Sequence, residues 1–257
     1  MSNLSQFRNA IDAIDDQIMA LLNERSLLVK QVGLTKHSTQ EKGIAYMRSG
    51  READVIKRIY AVLKEGVFPA EAAVHIWRMV ICASLSLESD FSISVPEGDN
   101  TAYCMSREYF GAFTPILQTQ NYQQVIANLI EGKAQAGVFS LDNRTEKWWR
   151  NLPEDIKIFA CLPALITPDT PITTYAVAKL IPEQTGDDTT LLLVQTATIQ
   201  KVLQKLANSN PLILDSDKPD YLVAVEGYVT QVTSIADSTI SVLGSYANPI
   251  IIGKSNE

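Results

Sequence analysis

The sequence predicts a multidomain chain: an all-α segment over residues 1–91, an α/β unit over 92–186, and a last unit over 187–257 with the βαββαβ order of a ferredoxin-like fold. Three observations carry this. Apolar residues from Leu4 to Val32 recur every three or four positions, no proline occurs before Pro69, and after Asp90 short alternating runs take over from the long helical period.

The first helix is set by Leu4, Phe7, Ile11, Ile14, Ile18, Leu21, Leu28 and Val32, with Arg25 interrupting the seam. A periodic run of about 30 residues exceeds an ordinary globular helix and suggests packing against a second copy of the chain. Lys36 to Lys42 and Gly43 read as a loop. Val55, Ile56, Ile59 and Val62 define a second helix, Gly66 and Pro69 a turn, and Ala73, Ile76, Trp77, Val80, Ser84 and Leu87 a third helix from Ala70 to Glu88.

Beyond Asp90, strands are expected at Ser92–Val95, Ala136–Phe139, Ile156–Phe159 and Tyr175–Lys179, with a turn at Pro96–Asn100 and a helix over Tyr122–Leu129. In the last unit, strands are expected at Leu191–Val194, Leu212–Leu214, Tyr221–Val225 and Ile250–Ile252. Helices are expected at Ile199–Ala207 and near Asp237.

Bulk properties narrow the function. Net charge is −7 over 257 residues, which disfavours nucleic acid as a partner because a polyanion needs a basic face. Two histidines, His37 and His75, are too few for a multi-histidine metal site. Cys82, Cys104 and Cys161 show no paired spacing. Cys104 and Cys161 read as small core residues, since no histidine follows His75. No basic leader and no stretch of membrane-spanning length is expected, so a reducing cytoplasm is the default compartment.

Helical geometry gives the first segment its chemistry. Arg25 and Lys36 are 11 residues apart, so they differ by only about 20° around the axis and about 16 Å along it. Two long side chains can converge on one small anion from there. Arg8 is about 25 Å from Arg25 along the same rod, too far to share that ligand within one chain, but placed to share it in an antiparallel dimer. Arg25 also sits in the apolar seam, where a guanidinium must be paired; Asp12, Asp15 or Asp16 of a neighbouring helix would also serve. Arg48-Ser49-Gly50-Arg51-Glu52 sets two arginines beside a carboxylate, and Ser84 and Glu88 share a helix face.

Together, Phe7-Arg8-Asn9-Ala10-Ile11-Asp12-Ala13-Ile14-Asp15, Leu21-Leu22-Asn23-Glu24-Arg25, Val32-Gly33-Leu34-Thr35-Lys36, Arg51-Glu52 and Ser84 to Glu88 resemble the all-helical chorismate mutase family. The resemblance covers residues 4–90 and implies an intertwined homodimer. By it, Arg8 of one chain and Arg25 of the other bind the substrate carboxylates, and Lys36 binds a carboxylate and the ether oxygen. Glu52 accepts the ring hydroxyl, Arg48, Arg51 and Ser84 line the pocket, and Glu88 donates a hydrogen bond to the ether oxygen. Arg48 stands where relatives often carry an acid. The implied rearrangement of chorismate to prephenate needs no nucleophile, metal or redox cofactor.

Residues 92–253 resemble a degenerate prephenate dehydratase with an ACT-like end. The landmarks are Val95-Pro96-Glu97-Gly98, Arg107-Glu108-Tyr109-Phe110-Gly111, Ala136-Gly137-Val138-Phe139-Ser140-Leu141-Asp142-Asn143 and Leu243-Gly244-Ser245-Tyr246. Thr173-Thr174-Tyr175 replaces the family's Thr-Arg-Phe, removing the catalytic cation. Asp215-Ser216-Asp217 replaces Glu-Ser-Arg, removing the usual contacts to an aromatic amino-acid effector. The expectation is a mutase with a non-catalytic C-terminal region. The alternatives are a bifunctional mutase/dehydratase, an isochorismate pyruvate-lyase, or a non-enzymatic regulator that binds an aromatic amino acid.

Overall fold

The computed structural model describes residues 3–38, 47–142, 146–232, 235 and 237–253, apart from the side chains of 36–38. Three helices come first: α1 (Asn3–Ser38), α2 (Ser49–Leu63) and α3 (Ala70–Glu88). α1 is 36 residues long, about 54 Å at 1.5 Å per residue. It continues through Lys36, where a loop was expected, because nothing between Gly33 and Ser38 breaks a helix. The Lys36 side chain lies outside the described residues.

α3 has the bounds that periodicity predicts. By length and composition it could cross a membrane, which corrects the expectation that no segment reaches that length. It carries the buried Arg78 near its middle, however, and buries Ala73, Val74, Ile81, Cys82 and Leu85 against protein. A core helix explains both features.

The mixed α/β region follows. Its elements are β1 (Ile93–Pro96), α4 (Asn100–Phe110), β2 (Ile116–Thr119), α5 (Tyr122–Ile130), β3 (Ala136–Ser140), β4 (Lys157–Leu162), β5 (Leu165–Ile166), β6 (Thr174–Ala178), β7 (Asp188–Gln195), α6 (Ile199–Lys205), β8 (Leu212–Asp217), β9 (Asp220–Glu226), β10 (Thr239–Ala247) and β11 (Ile250–Ile251). Nine strands form one sheet in the order β2-β1-β3-β6-β4-β10-β7-β9-β8, and β5 pairs with β11 beside it. The sheet therefore runs unbroken across position 186.

Its two halves meet where β10 touches β4. Gly244, at φ +150°, lies opposite Ile158, and a Cβ there would stand 2.1 Å from the Ile158 carbonyl oxygen. Only glycine lets the two backbones approach this closely. A bulge between Val242 and Gly244 shifts the register of β10 against β7.

The helix expected near Asp237 is not formed by the described residues between β9 and β10, and β10 itself was not anticipated. Nor were α4, β2 and β5. α4 starts where Asp99 accepts the Ala102 N–H at 2.9 Å, an N-cap. α5 is capped likewise by Asn121 on Gln124, at 3.0 Å.

The helical and α/β parts share a core. Cys82 and Leu85 of α3 pack with Phe91, Ile93, Val95, Phe110 and Leu162. A second core, built on Phe139, Trp148, Trp149, Ile158 and Tyr175, fills the other face of the sheet. Cys161 is buried, as expected, and burial pushes its thiol up to about 12. Cys104 is exposed on α4, against expectation.

The departures at 215–217 have a structural account. Asp215 accepts Lys147 Nζ at 2.6 Å and Trp149 Nε1 at 2.9 Å, while Asp217 and Asp220 hold the Arg150 guanidinium. Burial works against the charge on Asp215, but Lys147 and Trp149 hold its carboxyl below the usual aspartate range. A depressed carboxyl pKa contributes stability above the unfolded value of about 3.9, and the contribution is lost as pH falls through the folded pKa. Asp215→Asn is expected to destabilise the protein by about 1–2 kcal/mol at pH 7. In urea titrations, the gap from the parent narrows as the pH falls below about 4.

Candidate functional site

Arg25, Arg48, Arg51, Glu52, Ser84 and Glu88 line one open cavity of about 470 Å³, together with Leu28, Val29, Val32, Val55, Ile81 and Leu85. Three helices supply them. α1 brings Arg25 to the cavity on the same stripe as Leu28 and Val32, α2 brings Arg51, Glu52 and Val55, and α3 brings Ile81, Ser84, Leu85 and Glu88. Arg48 is the residue just before α2. The lining thus combines six apolar side chains with three guanidiniums, chemistry that accepts an anion with an apolar part.

The Arg25 guanidinium donates to Ser84 Oγ, and that hydroxyl in turn donates to the Val80 carbonyl at 2.8 Å. Burial, and after it the neighbouring Arg51 charge, lowers the Arg25 pKa. Two guanidiniums repelling each other at one cavity are a site that an incoming dianion relieves. Within one chain, Ser84 rather than Asp12, Asp15 or Asp16 takes the Arg25 guanidinium. Gly33 sets the approach of α1 to α3: a Cβ there would meet Glu88 Cγ at 3.3 Å.

Glu52 has a partner that sequence reasoning missed. Its Oε2 accepts Arg78 Nη1 at 3.2 Å, and the Arg48 backbone also hydrogen-bonds its carboxylate. Burial pushes the Glu52 carboxyl above the usual glutamate range, against the pull of Arg78. Burial also opposes charge on Arg78, but Tyr109, Cys82 and Glu52 together hold its proton above the ordinary arginine range. The guanidinium lies 3.7 Å from the Tyr109 ring centroid and donates from Nε to the Tyr109 carbonyl at 3.2 Å. A lone charge in the apolar stripe Val74–Ile81–Leu85 was the signal that could have found Arg78.

Glu183, between β6 and β7, was also missed. It accepts Arg48 Nε at 2.9 Å and the Arg51 backbone N–H at 3.2 Å. No sequence signal announces a contact spanning 135 residues.

Arg8 is not in the cavity. It lies on the N-terminal part of α1, where every position up to Glu24 except Ser5 is exposed, and Leu4, Phe7, Ile11, Ile14, Ile18, Leu21, Leu28 and Val32 are all open to solvent in the single chain. Their exposures run from 49% at Ile18 to 64% at Phe7 and Leu21. A seam of eight large apolar residues left open is far beyond the scattered exposure normal on a monomer.

The dehydratase-like landmarks also converge. Thr174 of β6 faces Ser140 of β3 across the sheet. Asp99 accepts the Ser140 N–H at 3.0 Å and the Ser140 hydroxyl at 2.8 Å besides capping α4, so its carboxylate is committed to the fold. Asn143 lies outside the described residues.

An all-helical segment that gathers cations and carboxylates round one cavity for a small anion defines the class of the N-terminal part. Residues 7–89 match the family described as chorismate mutase type II.

Two curated proteins extend the likeness. The bifunctional chorismate mutase/prephenate dehydratase of Aquifex aeolicus is 32% identical over 151 residues, 57% of this chain and 41% of that protein. The protein of the same description from Pseudomonas aeruginosa is 27% identical over 147 residues, 56% of this chain and 40% of that one. The chain thus spans about two fifths of the length of the relatives it matches. The 151 aligned residues outnumber the helical segment, so the likeness runs on into the α/β region. Among solved structures, prephenate dehydratase from Arthrobacter aurescens in complex with L-Phe gives a TM-score of 0.42 at 11% identity, over 63% of this chain and 93% of that one.

Proposed function

We propose that this chain is a chorismate mutase that converts chorismate to prephenate in the α1–α2–α3 cavity, with a C-terminal region that does no chemistry of its own. The observation that carries this reading is the meeting of Arg25, Arg51, Arg48, Ser84, Glu52 and Glu88 round one cavity that apolar side chains also line. Chorismate is a dianion with a hydrocarbon ring, and its rearrangement breaks a C–O bond and forms a C–C bond within one molecule. The protein has two tasks: to hold the enolpyruvyl chain over the ring in a reactive conformer, and to stabilise negative charge growing on the ether oxygen.

Arg25, steadied by Ser84, takes one carboxylate. Glu52, held by Arg78, accepts the ring hydroxyl. Arg48 and Arg51 add positive charge around the substrate, and the family resemblance assigns the ether oxygen to Lys36 and Glu88. Only contacts stronger in the transition state than in the bound substrate accelerate the step. The second carboxylate falls to Arg8 of a partner subunit. The open seam of α1 supports a homodimer, because its apolar residues and Arg8 lie on the same arm. The three free thiols fit a reducing cytoplasm.

In the α/β region, Thr174 stands where the dehydratase family has its cation, and Asp99 is committed to the fold. Asp215 and Asp217 are tied to Lys147, Trp149 and Arg150, so the 215–217 strand serves the fold rather than an aromatic amino-acid effector. The relatives' bifunctional description keeps the dehydratase as the second reading. One experiment separates the readings: purified full-length protein is supplied with chorismate, then with prephenate, then with isochorismate, and the products are identified. Prephenate formed from chorismate, with no phenylpyruvate from prephenate and no pyruvate from isochorismate, is the expected result. Chorismate left unconsumed would remove the proposal.

A further inference from the structure

The first turn of α2 borders the cavity, and Glu52 of that turn answers the Arg48 backbone with its carboxylate but leaves the Arg51 N–H to another acceptor. Arg48, at the N-cap position, makes no side-chain cap hydrogen bond. The orphan N–H groups of a helix start need an acceptor, and a carboxylate is the most favourable one, because the N-terminal end of the helix is partially positive. Here the acceptor comes from the α/β region. Glu183 Oε2 takes the Arg51 N–H at 3.2 Å, and Oε1 takes Arg48 through both Nε and Nη2 at 2.9 Å. Gly50 permits the approach: a Cβ on it would stand 2.7 Å from Glu183 Cβ.

The segment that presents Glu183 is itself braced on both sides. Tyr228 Oη donates to the Pro182 carbonyl at 2.7 Å, Asp188 accepts the Thr185 and Gly186 N–H groups at 2.9 and 3.0 Å, and Asp187 pairs with Lys57 farther along α2 at 2.7 Å. A side chain held between such fixed points acts as a strut rather than a passing surface contact.

We propose that Glu183 is a positioning residue for the cavity. It caps α2 from outside the helical segment and orients Arg48, so that Arg48 and Arg51 are set before substrate arrives. This inference rests on the proposed mutase reading, and it gives the C-terminal region a role in the reaction without chemistry of its own. A residue that acts this way affects ground-state binding more than the chemical step.

In the full-length protein, Glu183→Ala is expected to raise KM for chorismate about fivefold to tenfold with kcat within about twofold, the scale of a lost helix cap. The Arg51 amide should exchange its hydrogen about tenfold faster. Glu183→Gln, which keeps an acceptor oxygen but not the charge, should fall between the two on both measures. Lys57→Gln breaks the other ion pair between α2 and this segment and should leave KM within about twofold. A KM that falls in Glu183→Ala would mean the carboxylate competes with substrate, and would overturn the proposal. So would unchanged KM and exchange, or an equal KM rise in Lys57→Gln. A parent protein that leaves chorismate untouched would instead remove the mutase reading, while exchange at Arg51 would still decide whether Glu183 caps α2.

Discussion

On the proposed mutase reading, Arg25→Ala is expected to lower kcat/KM for chorismate by about 10²–10³-fold, the scale seen when one preorganised charge-stabilising donor is removed from an active site. The same change should leave the unfolding midpoint unchanged or slightly raised. The two halves of the prediction follow from one observation: Arg25 is partly buried beside another guanidinium, and both burial and Arg51 make its charge harder to hold. A group held against electrostatic strain serves a ligand rather than the fold. Ser84 fixes its direction, so Arg25→Lys should recover little: an ammonium has a different reach and cannot present the planar fork that engages a carboxylate with two parallel bonds. The measurements are steady-state kinetics and a thermal melt on the same samples. A second melt with a non-reactive dicarboxylate should show the parent stabilised and the variant not, because a ligand that binds only the folded form raises its stability by mass action. A clear loss of folded stability in Arg25→Ala, with catalysis close to the parent, would recast Arg25 as a structural ion.

The helical segment was readable because its information is local. Apolar spacing, the absence of proline before Pro69 and the break at Gly66–Pro69 mark all three helices, and α3 has the predicted bounds. Helical phase gave only that Ser84 and Glu88 share a face; the rest of the pocket's membership came from the family resemblance. What escaped depends on partners distant in the chain. β10 alternates weakly, and its bulge at Val242–Gly244 lets it serve β7 in one register and β4 in another. α4 follows a stretch that reads correctly as a turn, and Asp99 at its end was the overlooked cap. Arg78 left a trace, a single charge within a buried stripe. Glu183 left none, because its partners are in another part of the fold.

The second large effect concerns Arg8. On the proposed dimer, Arg8→Ala and Arg25→Ala homodimers each lose one carboxylate ligand at both sites and should each fall by about 10²-fold or more in kcat/KM. Co-expressed, the two variants form heterodimers with one site that is doubly defective and one that is intact, because the Arg25 of one chain meets the Arg8 of the other. With random pairing, half the dimers are mixed and half their sites are whole, so activity should return to about a quarter of the parent value. The energetics favour the pairing that makes this complementation available. Covering a large aliphatic side chain contributes roughly 1.5–3 kcal/mol, and the seam residues are already about half covered, so roughly half of that remains for each. Eight residues on each of two chains then contribute roughly 12–24 kcal/mol, against an association cost of about 4–15 kcal/mol. A mixture no more active than its parents would show that Arg8 of one chain does not complete the Arg25 site of the other. In that case α1, a helix too long to bend Arg8 back to Arg25, would hold Arg8 outside the reaction altogether.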